Sequence, residues 1–100
     1  MLHTVNKSPY EKNSIYTCLR LAKPGSDILL IENGVYAALK GGKPESELNQ
    51  AVATHRVYVL DADLMARGLE RERLIEGIEV VGYDGFVDLA VSNDNVQSWL

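Results

Sequence analysis

The stretch DILLIE, Asp27 to Glu32, places four consecutive apolar residues, Ile28 to Ile31, with no polar residue alternating between them. A strand with one wet face alternates apolar and polar positions. A run without alternation fits a strand covered on both faces, as in a parallel sheet. Two further runs read the same way: RVYVLD (Arg56 to Asp61) and IEVVGY (Ile78 to Tyr83). The short N-terminal LHTVN (Leu2 to Asn6) is rich in strand formers.

Helix signals lie between these runs. In SPYE, Ser8 is placed to cap a helix, Pro9 suits the first helical position, and Glu11 completes a capping box. Pro24-Gly25 is a stop, which predicts a first helix over Pro9 to Ala22. NGVYAALKGG reads as a turn into a short helix ending at Gly41-Gly42, and KPESELNQAVAT as a loop with some helical content. Asp61 is placed to cap ADLMARG, with Arg67 in its last turn and Gly68 as its stop. LERERLIEG is a charged connection with room for one helical turn, and Asp84 is placed to cap GFVDLAVSN. The tail DNVQSWL is either a final edge strand or a docked extension. The order β-α-β-α-β-α-β-α predicts an α/β fold: a small doubly wound, mainly parallel sheet with helices on both faces.

One hundred residues, 46% hydrophobic and 24% charged, make one ordinary domain over 1–100, with neither repeats nor low-complexity tracts. The net charge of −4 comes without a run of Lys and Arg, which argues against direct binding to nucleic acid. MLHTVNKSPY has no basic stretch leading into an apolar run, and no apolar run approaches the ~20 residues of a membrane span. A lone cysteine cannot form an internal disulfide, and a cytoplasmic protein is expected. The helices after the first are short, and Leu64, Met65, Phe86, Leu89, Val91 and Trp99 are many apolar groups for so small a body. Part of that surface is expected to be covered by another subunit.

Catalytic patterns are sparse. His3 and His55 are the only imidazoles and have no metal-ligand spacing, so neither a metal nor a cofactor is expected. No glycine-rich phosphate loop is present. The carboxyl ends of the strands carry Asn6, Glu32-Asn33-Gly34 and Asp61-Ala62-Asp63, where a doubly wound fold binds ligands. These residues also cap helices, which is the plainer reading. A phospho-receiver role for the two aspartates rests on fold analogy alone. Ser8 and Ser14 have no histidine and acid beside them in sequence.

Cys18 remains. On a helical wheel Ile15, Leu19 and Ala22 form the sheet-facing stripe, and Cys18 falls at its border. The residue sits more than two turns from the expected helix start, beyond the reach of the terminal dipole that lowers a thiol's pKa. It can be a small apolar filler, or it can face a crevice or a subunit contact.

MLHTVNKSPYEKN, LLIENGVYAAL, VYVLDADLMARGL and VVGYDGFVDLAV…VQSWL together resemble the DsrH/TusB family of sulfur-relay proteins, in order and over the whole chain. The resemblance implies a DsrE/DsrF-like α/β fold. It also implies a cytoplasmic hetero-hexamer with DsrE/TusD-like and DsrF/TusC-like subunits. That complex passes persulfide sulfur to a DsrC/TusE-like acceptor, with the essential cysteine on the DsrE/TusD-type subunit. This chain would then be a subunit of a sulfurtransferase complex and not its main catalytic subunit. A cysteine in the first helix resembles the sulfur-oxidising branch, which makes dissimilatory sulfur oxidation the expected context, with tRNA 2-thiouridine synthesis as the alternative. Cys18 becomes a candidate accessory persulfide site, by thiolate attack and exchange.

Overall fold

The computed structural model describes residues 1–100. Five strands form one sheet: β1 (Leu2–Val5), β2 (Asp27–Leu30), β3 (Arg56–Leu60), β4 (Glu79–Val81) and β5 (Val96–Trp99). Every neighbouring pair is parallel and the spatial order is β4-β3-β2-β1-β5. The apolar runs therefore become strands as expected. The tail resolves as a strand, with Leu2 opposite Val96 and Val5 opposite Trp99. The chain winds outward from β1 to β4 and then returns to the other side of β1, which is the doubly wound pattern.

Side chains alternate across each strand. Val5, Ile28, Leu30, Val57 and Val59 share one face and one core cluster. Four segments cover that face: α1 (Ser14–Leu21), a 3-10 helix at Glu32–Ala38, α2 (Glu45–Thr54) and α3 (Asp61–Ala66). They contribute Ile15, Cys18, Val35, Ala37, Leu48, Ala51 and Leu64 to the same cluster. The opposite face carries Leu2, Leu29 and Leu60, also buried. It has only α4 (Tyr83–Ser92) across it, held at one end where Gly85 closes on Val81 and at the other by Asn93 Nδ2, which donates to Asp27 Oδ2 (3.0 Å). Helices thus lie on both faces, but unequally.

Local details differ from the sequence reading in four places. First, Ser8 does not cap a helix. Its Oγ accepts the Tyr10 N–H (3.1 Å), while Glu11 N–H and Lys12 N–H both reach the Ser8 carbonyl. The hydroxyl closes a local turn, the alternative that serine always offers the backbone. The helix therefore starts at Ser14 and not at Pro9. Second, Glu45–Thr54 is a regular ten-residue helix where a loop with some helical content was expected. Only Leu48 and Ala51 are buried on it, too few for a clear periodic stripe. Third, Asp61 lies in the first turn of α3, with Leu60 as the capping residue, and Asp61 pairs with Arg71 (3.2 Å). Fourth, Gly82 rather than Asp84 precedes α4. The glycine stops hold: Gly25 and Gly68 have φ of +87° and +65°.

Candidate functional site

Cys18 lies on α1 and is fully buried, as is Ile15, and Ala22, the residue that follows the helix, is buried with them. The sheet-facing stripe is thus rotated from the expected one. Cys18 is in its centre, and Leu19 turns toward the seam with α2, where it lines a shallow cleft with Tyr16, Glu47 and Gln50. Burial pushes the thiol's pKa up to about 12. At neutral pH the thiol is held in its protonated form, whereas the thiolate is the species that attacks and exchanges sulfur. No crevice or cleft of the fold is lined by it.

The carboxyl ends of the strands gather the polar residues named from sequence, and join most of them to each other. Glu32 turns the chain at φ +50°, and its N–H donates to Asp63 Oδ2 (2.7 Å). Arg67 donates to Asn33 Oδ1 (2.9 Å) and to the Asp63 carbonyl (3.0 Å), and pairs with the Asp63 carboxylate (3.5 Å). Gly34 packs directly onto the Val5 carbonyl. The side-chain oxygen of Asn6 is buried without a partner. Asp63 and Arg67 are spent on clasping the start of the 3-10 helix to α3, so this end is a structural joint.

The histidines are also structural. Trp99 Nε1–H donates to His3 Nδ1 (3.0 Å). His55 bridges Thr54 Oγ1 (2.9 Å) and the Ala22 carbonyl (3.2 Å).

What the fold leaves uncovered is apolar surface. Of the residues expected to exceed the core's needs, Leu64 is buried, Phe86, Leu89 and Trp99 are partly buried, and Met65 and Val91 are 72% and 80% exposed. Sequence reading missed Tyr83 and Val87, which are 65% and 59% exposed. Their spacing with Val91 is the signal that could have found them: positions four apart on a helix fall on one face. No residue of α4 is buried. The helix turns Gly85, Phe86, Leu89 and Ala90 toward the sheet and Tyr83, Val87 and Val91 away from it. A contiguous apolar stripe on the outside of a thinly anchored helix is suited to association with another protein.

Comparison with known proteins agrees with the resemblance. The family model described as DsrH like protein matches residues 7–96. The chain is similar to Protein TusB of Erwinia tasmaniensis, at 41% identity over 99 residues, covering 99% of this chain and all of that protein. It is similar to Protein TusB of Enterobacter sp. (strain 638) at 40% identity with the same coverage. In fold it resembles the ychN protein from E. coli, with a TM-score of 0.84, 24% identity and 97% of each chain covered. Family model and full-length relatives coincide with the fold and the four quoted stretches, and the chain belongs to the DsrH/TusB family of sulfur-relay proteins.

Proposed function

We propose that this chain is a docking subunit of a cytoplasmic sulfur-relay assembly, and that the sulfur travels on thiols of other subunits. One contrast carries the reading: the only thiol is sealed in the core, while an apolar helix face stands open. The partners are the DsrE/TusD-like and DsrF/TusC-like subunits of a hetero-hexamer, with a DsrC/TusE-like acceptor of persulfide sulfur. Residues 1–100 act as one domain in it. Similarity to proteins named TusB supports the tRNA 2-thiouridine branch better than the sulfur-oxidising branch that a first-helix cysteine suggested. No helix is long and apolar enough to cross a membrane.

The test is removal of this chain from its host and measurement of 2-thiouridine in tRNA. A fall, restored equally by the wild-type chain and by Cys18→Ala, is the expected result. Unchanged 2-thiouridine together with lost oxidation of reduced sulfur would assign the chain to the other branch. Restoration by wild type but not by a folded, assembled Cys18→Ala would make Cys18 a carrier.

A further inference from the structure

The open face of α4 has a chemical bias beyond being apolar. From Leu74 to Leu100 the chain has five acids, Glu76, Glu79, Asp84, Asp88 and Asp94, and no lysine or arginine. The whole chain has a net charge of −4, so its negative charge resides in this last quarter. Turning about 100° per residue, α4 sets Asp84 and Asp88 along one edge of the Tyr83, Val87, Val91 stripe. None of the ion pairs in the fold involves either of them. Both are exposed. The stripe therefore has an acidic border that the chain itself leaves uncompensated.

We propose that the outer face of α4 is a docking surface for a different protein chain, one whose contact face is apolar and bordered by lysine or arginine. This deepens the docking role proposed above and rests on it for the partners used in the test. Charge complementarity selects the occupant. A second copy packed stripe to stripe would bring the acids of each α4 into the same interface, and juxtaposed like charges oppose association. An anionic membrane surface would be repelled for the same reason. A basic-bordered partner gains attraction at the rim, faster encounter and a fixed register, while the stripe supplies the buried apolar centre. Val87, in the middle of the stripe, would be the residue most completely covered.

The experiment is co-expression of the full chain with its DsrE/TusD-like and DsrF/TusC-like subunits, followed by size-exclusion chromatography and affinity measurement. The variants are Val87→Glu and Asp84→Lys/Asp88→Lys. Val87 is exposed, so Val87→Glu should keep the wild-type circular dichroism and thermal midpoint, yet weaken assembly by tenfold or more, roughly a hot-spot loss. The double charge reversal should weaken assembly most at low salt and flatten or invert its salt dependence. Wild type that assembles, with both folded variants assembling equally well, overturns the α4 surface and leaves the docking role standing. A wild-type chain that assembles with neither subunit overturns both. A homodimer broken by Val87→Glu gives the surface to a second copy and overturns the basic-bordered partner.

Discussion

The indole N–H of Trp99 donates to Nδ1 of His3 at 3.0 Å, and the two rings stack with centroids 6.1 Å apart at 29°. The last strand is thereby tied to the first by a side-chain bond as well as by the ladder. An acceptor Nδ1 carries no proton, so His3 is neutral, with its proton on Nε2. Its pKa is held below the ordinary 6.5, first by burial, then by the N-terminal ammonium and by His55. The folded chain thus binds fewer protons at this site than the unfolded one. Stability rises with pH through the window between the lowered folded pKa and 6.5, and is fully present above it. Acidification from pH 7.5 into that window should lower the urea midpoint of wild type more than that of His3→Gln, and equal shifts would remove His3 from the effect. Trp99→Phe, which orphans Nδ1, should cost about 1–2 kcal/mol at pH 7.5.

Cys18 should behave as a core residue. The native chain should resist iodoacetamide at pH 7.5 and react fully once unfolded, because burial keeps the thiol protonated and out of reach. Cys18→Ser places a hydroxyl among apolar neighbours and should cost about 1–3 kcal/mol. Cys18→Ala opens a small cavity and should cost about 1–2 kcal/mol. A gain of one sulfur on Cys18 in the folded chain after incubation with a persulfide donor would contradict this packing role.

The strands were the most legible part of the fold, because an uninterrupted apolar run such as Ile28 to Ile31 has few ways to be buried other than inside a parallel sheet. Helix ends were less legible. Ser8 has the same residues around it whether it caps a helix or closes a turn, and only the path of the chain past the buried Pro9 decides. Helix α2 was obscured because its burial rests on Leu48 and Ala51 alone. Apolar surface is left over on the chain, but which residues carry it depends on how α3 and α4 are each rotated on the sheet. Leu64 goes inside, while Tyr83 and Val87 stay out. The centring of Cys18 on its helix likewise follows from α1 packing against both the sheet and α2, and no wheel drawn for one helix contains that information.

Gly34 marks where backbone meets backbone. A Cβ built there would lie 2.1 Å from the Val5 carbonyl oxygen, and neither atom belongs to a flexible side chain that could move aside. Gly34→Ala must therefore displace the 3-10 helix from the end of β1. The expected cost is about 3 kcal/mol or more, seen as a large fall in thermal midpoint or loss of soluble protein. A wild-type midpoint would mean that the segment can shift freely.

Glu32 invites the opposite experiment. Its φ of +50° costs a residue with a Cβ about 1 kcal/mol or more, and a glycine much less. The backbone N–H that Asp63 accepts remains in Glu32→Gly. That variant should hold or raise the stability by up to about 1 kcal/mol. A clear loss would reveal that the Glu32 side chain does work that its exposed position does not disclose.

Asp27 decides how firmly the proposed docking helix is held. Its buried carboxylate accepts Arg56 Nε on one oxygen (2.6 Å) and Asn93 Nδ2 on the other (3.0 Å), so it joins β2 to β3 and to the residue that follows α4. Asn93 also donates to the Leu89 carbonyl (2.8 Å), closing the last turn of α4. Removing the carboxylate releases that end of the helix while Gly85 still holds the other end against Val81. Asp27→Ala should cost about 2–3 kcal/mol, of which the exposed Arg56 supplies little because water screens it. Amide exchange should quicken in α4 before it quickens in the strands, and assembly with partner subunits should weaken although no partner-facing residue has changed. Uniform acceleration across the sheet would place the role of Asp27 in the strand pairing instead.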